Sequence, residues 1–176
     1  AYNNMGNALK LKGDLGFAID SYKTALKFKP DFAEAYSNMG NAFKDKGDLE
    51  TAIDIFKQAL KIKPDYADAF YNMGAALNDK GELEAAIDSY KQALKIKPDY
   101  AEAFNNMANA FRDIGDVVAA IDSFEKAIKI KPDYASAYNN MGNALQDQGD
   151  AEAAIDSFEK AIKIKPDYAN AYNNMG

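Results

Sequence analysis

Apolar residues recur along the chain in two alternating patterns of similar length, separated by short polar breaks. In one stretch Tyr36, Met39, Gly40 and Phe43 stand at i, i+3, i+4 and i+7, the spacing of one face of an amphipathic helix. In the next, Ala52, Ile53, Phe56, Ala59 and Leu60 keep a similar spacing and end in Lys61-Ile62-Lys63, where cations oppose the negative end of a helix. Between the two, Gly47 suits the left-handed conformation that closes a helix, and Asp48 suits the cap of the next. Pro64 stops the second helix. Asp65 with Asp68, and more closely Asp31 with Glu34, resembles a capping box opening the following pair. The pattern predicts a helical hairpin of about 34 residues.

The hairpin is repeated, because Pro30, Pro64, Pro98, Pro132 and Pro166 all lie 34 residues apart. Every Met occupies one equivalent site, and ten of the eleven glycines occupy two, Gly16 being the exception. Residues 120–135 recur unchanged at 154–169, the mark of a duplication. A hairpin of this size cannot bury its apolar face alone, so neighbours must stack. The expected architecture is all-α: a right-handed superhelical solenoid of antiparallel helix pairs, forming one array. Its repeats run 1–32 (truncated at its start), 33–66, 67–100, 101–134 and 135–168, with a partial sixth at 169–176. Since Ala1 to Gly6 recur as Ala171 to Gly176, the chain reads as a fragment of a longer array.

Tyr36, Met39, Gly40, Phe43, Ala52, Phe56, Ala59 and Pro64 together resemble the tetratricopeptide repeat pattern, with Tyr or Phe for its usual Trp and Met for its usual Leu. The likeness spans the whole chain, and Ala108 is the one position where a small residue other than Gly stands at the glycine site. It implies that the first helices of the pairs line a concave groove.

On the side of the first helix opposite its core residues, asparagine is frequent. Asn4, Asn38, Asn72, Asn106, Asn140 and Asn174 form one series. Asn7, Asn41, Asn109 and Asn143 form a second, broken by Ala75; a third holds Asn3, Ser37, Tyr71, Asn105, Asn139 and Asn173. A carboxamide both donates and accepts, so a column of them could pair with the backbone of an extended peptide without reading its sequence. For the first series a structural reading stands beside this one, hydrogen bonding between neighbouring helices. With helices roughly 8–10 Å apart and extended chain rising about 3.3 Å per residue, one step of such a ladder spans about three ligand residues. The stretch Ala35 to Asn41 is similar to the superhelical arm of O-linked N-acetylglucosamine transferases, which implies groove asparagines that hold substrate backbone. Similar arrays accompany bacterial sulfotransferases and magnetosome-associated scaffolds.

Tyr71 departs from the period on the asparagine face, where a rigid aromatic can anchor a ligand side chain or simply lie on the surface. Ile114 and Val118 replace mostly Lys and Glu, as a small patch for a partner or as packing variation. The carboxylate clamp known in the family needs Lys or Arg at several groove sites, and Glu34, Asp68 and Glu102 oppose it. Lys10, Lys44 and Arg112 alternate with Asp45, Asp79, Asp113 and Asp147, a pattern that predicts pairing across neighbouring repeats with little gain from each.

Composition narrows the chemistry. The absence of Cys and His removes thiolate chemistry, disulfides and the usual neutral-pH acid/base, and no nucleophile–base constellation or phosphate loop is present, so no enzymatic activity is expected. The recurring Asp-x-Gly-Asp, as at 45–48, is too sparse for a calcium cage, and neither metal nor cofactor is expected. A net charge of −6 opposes binding to phosphate backbones, so nucleic acid is not an expected partner. No apolar run approaches the roughly 20 residues of a membrane span. The absence of a signal peptide favours a cytoplasmic location, although the chain begins inside a repeat. The expected partner is a protein or peptide ligand. Alternatives are a self-assembling scaffold built by weak head-to-tail stacking, and the substrate-recruiting arm of a larger transferase.

Overall fold

The computed structural model describes residues 1–175, the side chain of Met175 excepted; Gly176, the last residue of the repeated hexad, lies outside the described residues. Every regular element is an α-helix: α1 Tyr2–Leu11, α2 Leu15–Phe28, α3 Ala33–Asp45, α4 Leu49–Ile62, α5 Ala67–Lys80, α6 Leu83–Ile96, α7 Ala101–Asp113, α8 Val117–Ile130, α9 Ala135–Gln148, α10 Ala151–Ile164 and α11 Ala169–Met175. Odd-numbered helices are the first members of the predicted pairs. Two compact units are formed, Ala1–Ile96 with α1 to α6, and the residues from Lys97 on with α7 to α11. Among the described residues no helix is long and apolar enough to cross a membrane.

Four of the five hairpins close by close packing of a glycine on a ring. A Cβ on Gly40 would stand 2.7 Å from the Phe56 ring, and one on Gly142 would stand 2.5 Å from Phe158. The missing side chain lets a fully buried aromatic of the second helix lie against the backbone of the first, burial that contributes about 2–3 kcal/mol per ring. In the fourth pair Ala108 holds this position beside Phe124, and both are fully buried. In the first unit Ile19 and Tyr22 of α2 pack with Met39 and Ala42 of α3, so one pair's second helix covers the next pair's first. In the second unit Phe124 packs with Ala144 and Met141 in the same way.

In the second, fourth and fifth pairs the turn follows from two residues. Gly47 takes φ +85°, which a side chain would strain, and lets the Asp48 N–H bond the Phe43 carbonyl at 3.0 Å. Asp48 then accepts from the Thr51 N–H at 3.2 Å, as Asp116 does from Ala119 and Asp150 from Ala153. The expected capping boxes are not formed. The N-caps of α3 and α5 are Phe32 and Tyr66, without a side-chain cap bond, so Asp31 and Asp65 lie one residue too early. The ring at the cap is held from above instead: Lys63 Nζ lies 4.7 Å from the Tyr66 centroid, and Lys131 Nζ 4.7 Å from that of Tyr134.

Candidate functional site: the asparagine face of the first helices

The expected placement of all three series opposite the core residues is not met: Asn7 and Tyr71 touch aromatics of their own second helices, and Asn105 and Asn139 are buried. The amides divide into two groups. The first and third series bond to each other across neighbouring first helices. Asn38 Nδ2 donates to Asn3 Oδ1 at 3.1 Å in the first unit. In the second unit Asn140 donates to Asn105 at 3.4 Å and Asn174 to Asn139 at 3.2 Å. Asn105 and Asn139 also donate to the adjoining Asn106 and Asn140. Asn105 is 6% exposed and Asn139 4%, so these two lie between helices rather than on an open surface. Asn72, Asn106 and Asn140 are half-buried, and Asn4 is exposed.

The second series is placed differently. Asn41, Asn109 and Asn143 are half-buried and, among the described residues, make no hydrogen bond. Asn7 is exposed and accepts from the Tyr22 phenol at 2.8 Å. Ala75 breaks the series in α5, and Tyr71, one turn earlier, is half-buried with its ring 6.0 Å from that of Tyr90 at 49°. Tyr71 is thus packed on the hairpin's own aromatic rather than standing apart on the surface.

Charges frame this face. Lys10 pairs with Asp45 at 2.7 Å and Arg112 with Asp147 at 3.9 Å, each joining neighbouring first helices, as the alternation of signs predicts. Lys131 Nζ reaches Glu102 at 3.4 Å, which accounts for an acid at a position where a carboxylate clamp would need a base. Burial, opposed by a hydrogen bond with Ser37 and reinforced by Asp68 and Glu34, raises the Tyr66 phenol above the ordinary tyrosine value. Burial with Glu102 does the same to Tyr134. Of the two departures in the fourth repeat, Val118 is exposed and Ile114 partly so.

Sequence reading missed two features. One is the lysine over the junction rings, for which Lys and an aromatic three residues apart across every proline, Phe32 at the first and Tyr at the rest, was a usable signal. The other is a cleft on the opposite side of the pairs, for which periodicity holds no signal.

The "TPR repeat" family model matches residues 6–47, 40–81, 74–115 and 108–149, and the "Tetratricopeptide repeat" model matches 135–168. No curated protein sequence matches the chain. A crystal structure of MamA is similar at TM-score 0.84 and 31% identity, over 93% of this chain and 96% of that one. YrrB, described as a TPR protein with an unusual peptide-binding site, is similar at TM-score 0.80 and 27% identity, over 98% and 89% of the two chains. MamA 41-end from Desulfovibrio magneticus RS-1 shares the fold at TM-score 0.85 and 21% identity, over 96% and 95%.

Proposed function

The chain belongs to the tetratricopeptide repeat family and is a protein-interaction module, and we propose that it holds an extended peptide or protein segment along the asparagine face of its first helices. One observation carries this reading. The fold uses amides of the first and third series to tie neighbouring helices, while the side chains of Asn41, Asn109 and Asn143 make no hydrogen bond among the described residues. A half-buried carboxamide keeps both a donor and an acceptor to offer, the requirement for holding a backbone irrespective of sequence. Each bond so formed contributes about 0.5–1.5 kcal/mol, so Asn109 and Asn143 give a weak, additive grip in the second unit, and Asn41 offers one such amide in the first. The peptide-binding site named for YrrB supports a peptide as the ligand class.

The test is a peptide-array screen followed by calorimetry on the best binder. Asn41→Ala, Asn109→Ala and Asn143→Ala combined should weaken binding about tenfold or more while helix content stays unchanged. An unchanged affinity would reject backbone reading by this series.

A second reading, a scaffold joined head to tail, has an observation of its own. Met5 is 49% exposed whereas Met39, one period later, is 6% exposed under the preceding second helix. Ile155 is 44% exposed whereas its counterpart Ile53 is 5%. These are the two sides of one repeated interface, and such a contact between copies is open-ended. Sedimentation across a concentration series, with and without an appended polar helix, tests it; strict monomers at millimolar protein would reject it.

A further inference from the structure

On the outer side of the first unit, away from the asparagine face, α4 and α6 are held apart by α5 and leave a cleft of about 590 Å³. Its floor is apolar: Ile53, Met73, Leu77 and Ala85. Four carboxylates, Glu50, Asp54, Glu82 and Asp88, stand around it against two ammonium groups, Lys57 and Lys80. Lys80 Nζ lies between Glu50 at 3.2 Å and Glu82 at 2.9 Å, so acids from α4 and from the turn before α6 close on one cation.

We propose that this cleft is a second binding site, for a basic peptide segment that seats one apolar side chain on Ile53, Met73, Leu77 and Ala85 and lays a neighbouring Lys or Arg on Glu50 and Glu82. In this proposal Lys80 is the stand-in, a chain-borne ammonium at the place of the ligand's cation. The fold does not require the arrangement. One period earlier Gly16 stands for Glu50, and two periods later Val118 and Gln148 stand for Glu50 and Lys80, yet the same hairpins form there. Leu77 is equally a choice, since Phe43 and Phe111 hold its position in neighbouring pairs and a ring there would fill the cleft. Asp54 and Asp88 are mostly exposed and pair with Lys57 and Lys91, so the four carboxylates face three ammonium groups and the rim keeps one negative charge in excess. Charge complementarity therefore selects a cationic partner over an acidic one. The site shares α5 with the asparagine face but uses other residues of that helix, Met73, Leu77 and Lys80, with different chemistry.

The probe is the capped peptide Gly-Arg-Lys-Leu-Arg-Lys-Gly, with a Glu-for-Lys/Arg version and a Ser-for-Leu version as controls. Methyl chemical shifts of Ile53, Met73 and Leu77 are followed by NMR in the full 176-residue chain. The basic peptide should shift these methyls, bind less tightly as salt is raised, and outcompete both controls by about tenfold. Leu77→Phe, a residue that neighbouring repeats already carry there, should abolish the shifts while thermal stability is kept. Lys80→Gln should tighten binding severalfold by vacating the carboxylate pair, and Glu50→Gln with Glu82→Gln should lose it. The triple Asn→Ala variant should bind this peptide normally. Absent methyl shifts at millimolar peptide, equal binding of the acidic control, or undiminished affinity in folded Leu77→Phe would each overturn the proposal.

Discussion

The first helix of the third pair, α5, and that of the fifth, α9, are built alike on one side and differently on the other. Both span 14 residues and end at a glycine in the left-handed region, Gly81 at φ +84° and Gly149 at φ +91°. Both set a glycine against the aromatic of their second helix, Gly74 against Tyr90 and Gly142 against Phe158. At the amide positions α9 carries Asn139, Asn143 and Gln146 where α5 carries Tyr71, Ala75 and Asn78. Gln146 donates to the Asn174 carbonyl at 3.1 Å, whereas the Asn78 carboxamide oxygen is buried without a partner among the described residues. Shape complementarity constrains the packed side to small residues, because in α5 and α9 a methyl would meet a ring at under 3 Å, and only Ala108 of the fourth pair carries one. Hydrogen bonding at the amide positions tolerates exchange, and there a ligand can select.

The strongest way to test that the packed sides are equivalent is to empty them. Phe158→Ala and Tyr90→Ala each remove a fully buried ring and should each cost about 3–5 kcal/mol, read from denaturant midpoints at unchanged slope. A loss in one pair several times that in the other would break the equivalence. Less is expected from the polar side. Asn139→Ala removes the acceptor of Asn174 and the donor to Asn140, and should cost about 1–2 kcal/mol. Its signature is local: amide exchange should quicken first in α11, which Asn139 holds through Asn174. Uniform quickening throughout the second unit would place the Asn139 bonds in the core rather than in the ladder.

A smaller effect is expected where the two helices differ. Tyr71→Ser should leave stability within about 1 kcal/mol and flatten the preference among array peptides, since a ring of this size supplies selective contact area beside the amides. If the specificity profile is unchanged, Tyr71 serves the hairpin through Tyr90 alone. Repeating the array with Tyr71→Asn and Ala75→Asn together would then show whether α5 can be given the behaviour of α9.

The packed side was legible in the sequence because it obeys two strict periods at once: 34 residues for the repeat and the i, i+3, i+4, i+7 helical spacing. Gly47 and Asp48 were readable as a stop and a start since only those residue types do both jobs cheaply. The capping boxes misled, because the helices start one residue later than the motif implies, with Phe32 and Tyr66 at the N-cap. For the asparagines, helical spacing gave the series but not their burial or bonding. Whether Asn105 meets solvent or Asn140 depends on how far apart two first helices sit, a tertiary distance that no periodicity encodes. The same holds for Lys80, whose two acids come from α4 and from the turn before α6.

The smallest expected effect concerns a feature that α5 and α9 share, the tyrosine at the N-cap. Tyr66 and Tyr134 are both raised above the ordinary tyrosine value, in each case first by burial. Nearby carboxylates add to this: Asp68 and Glu34 at Tyr66, Glu102 at Tyr134, where Ser136 stands in the place of Asp68. A group raised in the folded state holds its proton longer there than in the unfolded chain, where it ionises near about 10. Its contribution to stability is therefore complete below that pH and is lost as pH rises through the folded-state value. Phenolate absorbance during alkaline titration should show both groups ionising late. Chemical denaturation should show stability falling on the alkaline side, less steeply in Tyr66→Phe and Tyr134→Phe. Asp68→Asn separates the causes, and should lower the Tyr66 value only part of the way because burial is the larger one. A Tyr66 that titrates normally once Asp68 is neutralised would reverse that order and make charge, rather than packing, the difference between the two caps.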